Sequence, residues 1–520
     1  MHTRTPFLGG HSALIFGEEA ALGRLPFSSV SHATDGVAAF APDMLVADDE
    51  PVVLKWDGVP TPKTGGRDII ALTCGDNDWP LDEAFDVVAV PATGNTLELP
   101  ALPDLRCPYL VRYVRDEGGG RGTILAERRL DQLDVDLPRP RSLHLSFTRK
   151  RDEILVIWVS GGGGHLEEEP LVRWGTSSGS LTTTVSGSSS TYHASDLCNA
   201  PANKSGPINF IDPGAIRRVV LTGLPPSTKV FYRVGLRGRW SKEHSFTSRR
   251  AASSPNDRTK FIMYADQALP VPLFEGAAAM TGQVVKDLEA GYDSFLLHPG
   301  DLGYAMGSAY IWDVWGALIE PISSRVPYMV TVGNHEYDHI GKRIEASGAP
   351  PGGWHPSWGN LGDDSHGECG VPVSARFNGT GSAHPSVTGD NGVFWYSFEE
   401  GGVHVIMLSS EHDWARNSSQ YAWLAADLAS VNRSVTPWVV LATHRMMYTT
   451  QTHEEGDYKV SLVFQQEVEP LLTQYKVNLM LVGHQHSYER SCAVRGRKCL
   501  PPGEHGTVHM VVGSAGASLE

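Results

Sequence analysis

Five short apolar runs in the second half of the chain each end on a residue able to hold a metal ion: Asp266, Asp301, Asn334, His444 and His484. Tyr304 follows Asp301 by three positions, and His486 follows His484 by two. Together they offer two carboxylates, an amide oxygen, three imidazoles and a phenol, with no thiolate among them. A nitrogen and oxygen set of this kind suits iron, zinc or manganese better than a soft metal or an iron–sulfur cluster. Seven donors are too many for one tetrahedral ion, and they fit two ions that share a bridging carboxylate. Asp301 is the natural bridge, because Tyr304 can reach back to the same ion.

The runs span 261–264 (FIMY), 294–297 (SFLL), 328–332 (YMVTV), 438–441 (WVVL) and 477–482 (VNLMLV). Each has the length and the β-branched or aromatic content of a buried strand. Helix-like stretches lie between them at 281–290, 309–319, 420–428 and 462–475. Strand and helix alternating in this way predicts a layered α/β domain with a largely parallel core sheet. The carboxyl ends of such strands open into a common crevice, where the donors would converge.

The blocks GDLGY (300–304), GNHE (333–336), ATHR (442–445) and GHQH (483–486) resemble the metallophosphoesterase signature. A calcineurin-like phosphoesterase has a histidine two residues after its first aspartate, where this chain has Ala268. Tyr304 takes that histidine's place, which resembles the purple acid phosphatases in particular. The stretches 312–338, 367–378 and 468–490 are similar to the large plant-type members. The resemblance implies a ferric ion on Asp266, Asp301, Tyr304 and His486, and a divalent iron, zinc or manganese on Asp301, Asn334, His444 and His484. It implies that Asn334 and His335 face the substrate, and that His453 contacts phosphate or donates a proton. Glu454 stands beside His453 where the family often has a second histidine. The family usually carries glycine where this chain has Ala265 and Ala268, and the lost backbone freedom points to the ferric site as the place for weakened binding. The implied activity is that of an acid phosphatase, hydrolysing phosphate monoesters by attack of metal-bound hydroxide. Cleavage of diesters or nucleotide pyrophosphate bonds at the same metals is one alternative. A homologue that binds metal and phosphate without turnover is the other.

Upstream the texture is all-β. Strand-like runs at 154–159, 171–174, 217–221 and 230–236, separated by Gly, Ser and Pro, predict a sandwich. The segment 223–235, with Tyr232, resembles a fibronectin type III corner. Runs at 51–56, 69–72, 85–90 and 109–114 predict a second β-rich unit. The expected organisation is an unpatterned segment at 1–43, a β-rich module at 44–138, a fibronectin III-like domain at 139–250, and a catalytic domain at 251–520. The catalytic domain would consist of layered sheets flanked by helices, entered through a linker at 251–258 and continuing past Glu520.

The formal net charge of −16 gives no basic footprint for nucleic acid, and no run approaches the roughly 20 apolar residues of a membrane span. Small phosphorylated substrates are the expected partners. None of the six cysteines falls in a CxxC motif. Cys492 with Cys499 would close a small loop, Cys74 with Cys107 would staple the first β module, and Cys198 with Cys369 would join the sandwich to the catalytic part. Glycosylation sequons occur at Asn203, Asn378, Asn417 and Asn432. Residues 1–30 lack a cationic start followed by an apolar core, whereas the resemblance implies a secreted, vacuolar or organellar protein.

Overall fold

The computed structural model describes the strands between residues 29 and 130 without most of the segments joining them. From 140 to 517 it describes all but 162–165, 207–208, 237, 251–257, 270–275, 338–355, 357, 360, 363, 378, 380–391 and 454. The first sheet is built on the hairpin Tyr109–Gly118 and Arg121–Leu130, extended by Ile69–Cys74 and Asp86–Ala89 on one side and by Ser29–His32 on the other. A three-stranded sheet of Ala39–Ala41, Val52–Asp57 and Thr96–Leu99 accompanies it. Two of these strands arise in the stretch 1–43, where the sequence carries no legible pattern.

The next unit is a sandwich. One sheet orders Ser188–Ser190, Ala215–Leu221, Ile154–Ser160 and Arg141–Ser146, and the other is centred on Leu171–Gly175 and Lys229–Leu236. Ile154–Ser160 is apolar at six successive positions because both of its faces are covered. Ile154, Val156 and Trp158 enter the sandwich core, while Leu155, Ile157 and Val159 pack with Tyr192, Leu197 and Val371. Tyr232 does not close a corner within its own unit. Its hydroxyl donates to the Ser324 carbonyl at 2.7 Å, at the end of the helix Tyr310–Ser323, and so docks the sandwich onto the following layers.

Those layers hold all five predicted strands, divided between two sheets instead of one. Ile262–Met263, Leu296–Pro299 and Tyr328–Thr331 form a parallel three-stranded sheet. Val403–Met407, Trp438–Thr443, Leu479–Val482 and Thr507–Val512 run parallel in a seven-stranded sheet, which Tyr396–Glu400, Tyr488–Arg495 and Lys498–Cys499 complete through antiparallel pairs. Period-two alternation explains the layering. Phe295, Leu297 and Met329 face Val405, Met407, Val440, Ala442 and Leu481 across the gap between the sheets. Leu296, Tyr328 and Val330 point the other way, onto Trp315 and Ile322 of a helix, as Leu441 and Met480 do toward Trp423 and Phe464.

The helices are Gly276–Glu289, Tyr310–Ser323, Val371–Arg376, Ser419–Ser430, Glu455–Glu467 and Glu469–Gln474. The single helix expected over 462–475 is thus two, the first starting earlier and the second opening at Glu469 with Pro470 in its first turn. Proline lacks the N–H that a continuous helix would need there. Cys198 bonds Cys369 and Cys492 bonds Cys499 as expected. The pairing of Cys74 with Cys107 and all but the last residue of the expected linker at 251–258 lie outside the described residues.

Candidate metal centre

Every predicted ligand sits just past the end of a parallel strand. The backbone there turns sharply, and Asp266, Asp301, Tyr304 and His484 adopt positive φ of 61°, 51°, 51° and 72°. Side chains bearing a Cβ tolerate this region poorly, and such residues concentrate at functional sites held by their surroundings. Here the surroundings are dense: Asp266, Asp301 and His444 are at most 1% exposed.

The seven side chains form two adjoining groups. In the first, the Tyr304 hydroxyl lies 3.3 Å from Asp266 Oδ1 and 2.9 Å from His486 Nε2, with His486 Nε2 3.6 Å from Asp266 Oδ1. In the second, Asn334 Oδ1 lies 3.0 Å from both His444 Nε2 and His484 Nδ1. His444 Nε2 is also 3.2 Å from His484 Nδ1 and 3.3 Å from Asp301 Oδ2. Asp301 touches both groups, because it is also a hydrogen-bond partner of Tyr304. Donor atoms held about 2.1 Å from a common ion stand roughly 3.0 to 3.4 Å apart in octahedral or tetrahedral arrangement, which the second group's separations match and the first group's bracket.

The orientation of the second group carries a further constraint. His444 Nδ1 faces the Pro299 carbonyl at 3.1 Å, His484 Nε2 faces Asp457 Oδ1 at 3.0 Å, and the Asn334 amide nitrogen donates to Asp364 Oδ2 at 3.1 Å. Each proton-bearing atom therefore points outward, leaving His444 Nε2, His484 Nδ1 and Asn334 Oδ1 as lone pairs aimed inward beside the Asp301 carboxylate. Four acceptors so close repel one another unless a cation sits among them. The same demand acts on His444, where burial lowers the pKa but Asp301 outweighs it and carries the imidazole up to about 10. Burial, then Asp301 and Asp266, push the Tyr304 phenol well above its ordinary value, so that ionising it requires positive charge in the first group. The residues present thus fit two metal ions.

Glu336, the last residue of GNHE, holds the loops together. Its carboxylate accepts from the backbone N–H groups of Asp301, Leu302 and Gly333 at 2.7 to 3.0 Å. His335 lies at the mouth, its ring 4.4 Å from that of Tyr304 and its Nε2 3.9 Å from Asp301 Oδ2. His453 is exposed in the turn before Glu455–Glu467 and makes no hydrogen bond to the seven donors among the described residues. Glu454 and Asn378 lie outside the described residues. Of the other sequons, Asn417 and Asn432 are exposed and Asn203 is half-buried.

A buried ionic cluster behind the second group is absent from the sequence reading. Arg445, fully buried, pairs with Glu411 at 2.8 Å and with Asp457 at 2.8 Å, so one guanidinium steadies the carboxylate that orients His484. Carboxylates behind metal-binding imidazoles fix the ring and raise its basicity. The available signal was a sixth apolar run, VHVIML at 403–408, which ends three residues before Glu411 much as the other five end shortly before the predicted ligands.

The two alanines are accommodated. Ala265 packs its methyl against Gly483, whose own Cβ would stand 2.5 Å away. Ala268 takes φ of 58°, a region costing an L-residue roughly 1 to 2 kcal/mol, but its methyl is buried with Tyr304 and Ala517, a gain of about 0.8 kcal/mol. The effects nearly cancel. Ala268→Gly is therefore expected to change unfolding free energy by no more than about 1 kcal/mol and to leave metal content unaltered, as thermal melts and elemental analysis would show.

Comparison with known proteins agrees with this geometry. The sequence model described as "Purple acid Phosphatase, N-terminal domain" matches residues 140–248, and that of the calcineurin-like phosphoesterases matches 275–488. The chain is 32% identical to probable inactive purple acid phosphatase 9 of Arabidopsis thaliana, over 92% of its own length and 75% of that protein's. It is 28% identical to purple acid phosphatase 18 of the same plant, covering 72% of this chain and 71% of the relative. It spans only 60% of the length of the probable inactive purple acid phosphatases 1 and 27. The purple acid phosphatase PPD1 from yellow lupin (Lupinus luteus) seeds superposes with a TM-score of 0.72 at 25% identity, covering 93% of this chain and 88% of that one.

Proposed function

The chain belongs to the purple acid phosphatase family, and from that premise we propose that it hydrolyses phosphate monoesters at a two-metal centre. The observation that supports this reading is the inward aim of the lone pairs of His444, His484 and Asn334 beside Asp301, next to the group of Asp266, Tyr304 and His486. The first group would hold the ferric ion and the second a divalent iron, zinc or manganese. When bound, the pair would supply Lewis-acid polarisation of a phosphoryl oxygen and a water acidified enough to attack it.

The chain's own residues do the rest. Asp301 holds one oxygen against the His335 backbone N–H at 3.1 Å and turns the other toward His444, which fixes it between the two groups. His335, 24% exposed over the Tyr304 ring, faces the space where an ester would lie and can pass a proton to its leaving oxygen. We assign proton donation to His335 in preference to the exposed His453.

The names of several relatives favour a second reading, in which the chain binds metal and phosphate without turnover. Elemental analysis and the visible spectrum, with turnover of p-nitrophenyl phosphate, its bis ester and ATP, separate the readings. Two ions per chain, monoester turnover, and a visible band that Tyr304→Phe abolishes without unfolding the protein are the expected results. A fully loaded protein with no turnover from acidic to neutral pH would establish the second reading instead.

A further inference from the structure

Asp266 is carried on the segment 265–268, which follows Ile262–Met263 and has left-handed backbone at two residues, φ 61° at Asp266 and 58° at Ala268. Neither is glycine, so contacts outside the segment must hold that backbone. Main-chain bonds tie it to its neighbours. The N–H groups of Gln267 and Ala268 donate to the carbonyls of Asp301 and Leu302 at 3.2 and 3.1 Å, and the Asp266 carbonyl accepts from Ala517 at 3.0 Å. Those partners are themselves loop residues.

The Gln267 side chain reaches past the loops. Fully buried between Asp266 and Ala268, it is bonded to two helices. Trp315 Nε1, in Tyr310–Ser323, donates to Gln267 Oε1 at 3.1 Å, and Gln267 Nε2 donates to Thr281 Oγ1, in Gly276–Glu289, at 3.0 Å. An indole N–H can only donate, which fixes the orientation of the amide and turns its nitrogen to the hydroxyl. Trp315 is packed in turn among the rings of His298, Trp312 and Tyr328, 6.0 to 6.1 Å from its own. Trp315 and Thr281 are both buried, so either bond would be lost without replacement if the amide moved. A neutral amide also gives Trp315 its acceptor without adding a second buried negative charge next to Asp266.

What the segment delivers is the Asp266 carboxylate. Its oxygens accept from the His484 backbone N–H at 3.2 and 2.9 Å, and Oδ1 meets Tyr304 and His486. Asp301 has its own supports, Glu336 and the His335 N–H. We propose that Gln267 is a positioning residue for the first metal ion. By anchoring the segment to two helices, it holds Asp266 toward Tyr304 and His486 in a backbone that Asp266 and Ala268 would not keep alone. The inference rests on the two-metal reading.

The test compares the unaltered protein with Gln267→Met, which keeps the reach of the side chain without its polar atoms, and with Thr281→Val, which removes one of the two bonds at nearly constant shape. Chelator-buffered iron titration, followed by the visible band that Tyr304→Phe abolishes, reports the first ion. Zinc titration reports the second, and thermal unfolding of the metal-free proteins reports stability. Gln267→Met is expected to lower the iron affinity of the first group at least about tenfold and to shift its band, with the zinc affinity of the second group unchanged. Thr281→Val should act in the same direction by less, and it serves if Gln267→Met does not fold. Ala268→Gly added to Gln267→Met should restore part of the iron affinity, because glycine holds a left-handed backbone without help. A folded Gln267 or Thr281 variant that binds iron as the unaltered protein does, one that weakens both ions equally, or a double variant that regains nothing would overturn the proposal, leaving Gln267 a support of the fold alone. An unaltered protein that takes up no ion in the first group would overturn the two-metal reading, and this inference with it.

Discussion

Gly333→Ala is expected to give a folded chain that has lost its second metal and at least about 100-fold of any phosphatase turnover. A methyl group there would stand 2.2 Å from Asp301 Oδ1, 2.7 Å from the Asp301 backbone nitrogen and 2.8 Å from His444 Nε2. None of these is the loose end of a flexible side chain. Asp301 Oδ1 is tied to the His335 backbone, its nitrogen to Glu336, and His444 to the Pro299 carbonyl. The added carbon must therefore displace the Asp301 carboxylate or the His444 imidazole. Gly282→Ala is the control: it lies within the helix Gly276–Glu289 with nothing in reach of the new carbon, and it should stabilise by up to about 1 kcal/mol. Elemental analysis and turnover of both variants check the contrast. A Gly333→Ala protein with full metal content would show that the ligand loops yield more than these contacts allow.

The convergence of the seven side chains was legible because a chain feeding a crevice from parallel strands must leave each strand on the residue it places there, and apolar runs stopping on Asp, Asn or His record that. How the strands divide between sheets was not legible. FIMY (261–264) and FLL (295–297) are apolar at every position because one face meets a second sheet and the other meets helices, so no alternation marks which neighbour lies where. The positive φ values of Asp266, Tyr304 and His484 left no trace either, since those residues hold an unfavoured backbone through contacts distant in sequence. Tyr232 reads as a corner residue from its local segment, yet its partner, Ser324, lies 92 residues further on. Arg445 was hidden for a related reason: a single arginine after a histidine reads as a solvated charge until Glu411 and Asp457 are brought to it by the fold.

Arg445→Met should therefore be among the most damaging substitutions that leave all seven donors in place. It keeps an unbranched side chain of similar reach but removes the cation from between Glu411 and Asp457. Glu411 is 1% exposed and would keep one side-chain hydroxyl donor, from Ser410 at 2.9 Å. Breaking a buried pair in this way costs about 3 to 5 kcal/mol, because the remaining carboxylate has neither water nor a countercharge. The loss reaches the metal site through Asp457, which Arg445 holds in place to orient His484, and substitutions behind metal ligands typically lower metal affinity by about 10- to 100-fold. Asp457→Asn distinguishes the two effects. Its amide oxygen can still accept from His484 Nε2, so metal affinity should fall less than in Arg445→Met even though a buried charge is gone. Arg445→Met/Glu411→Met should recover part of the stability, since it removes the stranded carboxylate, without restoring the orientation of His484. Thermal unfolding of the metal-free proteins and competitive metal titration separate stability from affinity across the series. If Arg445→Met unfolds within about 1 kcal/mol of the unaltered protein, or if the double variant regains full metal affinity, then the guanidinium does not hold His484 through Asp457.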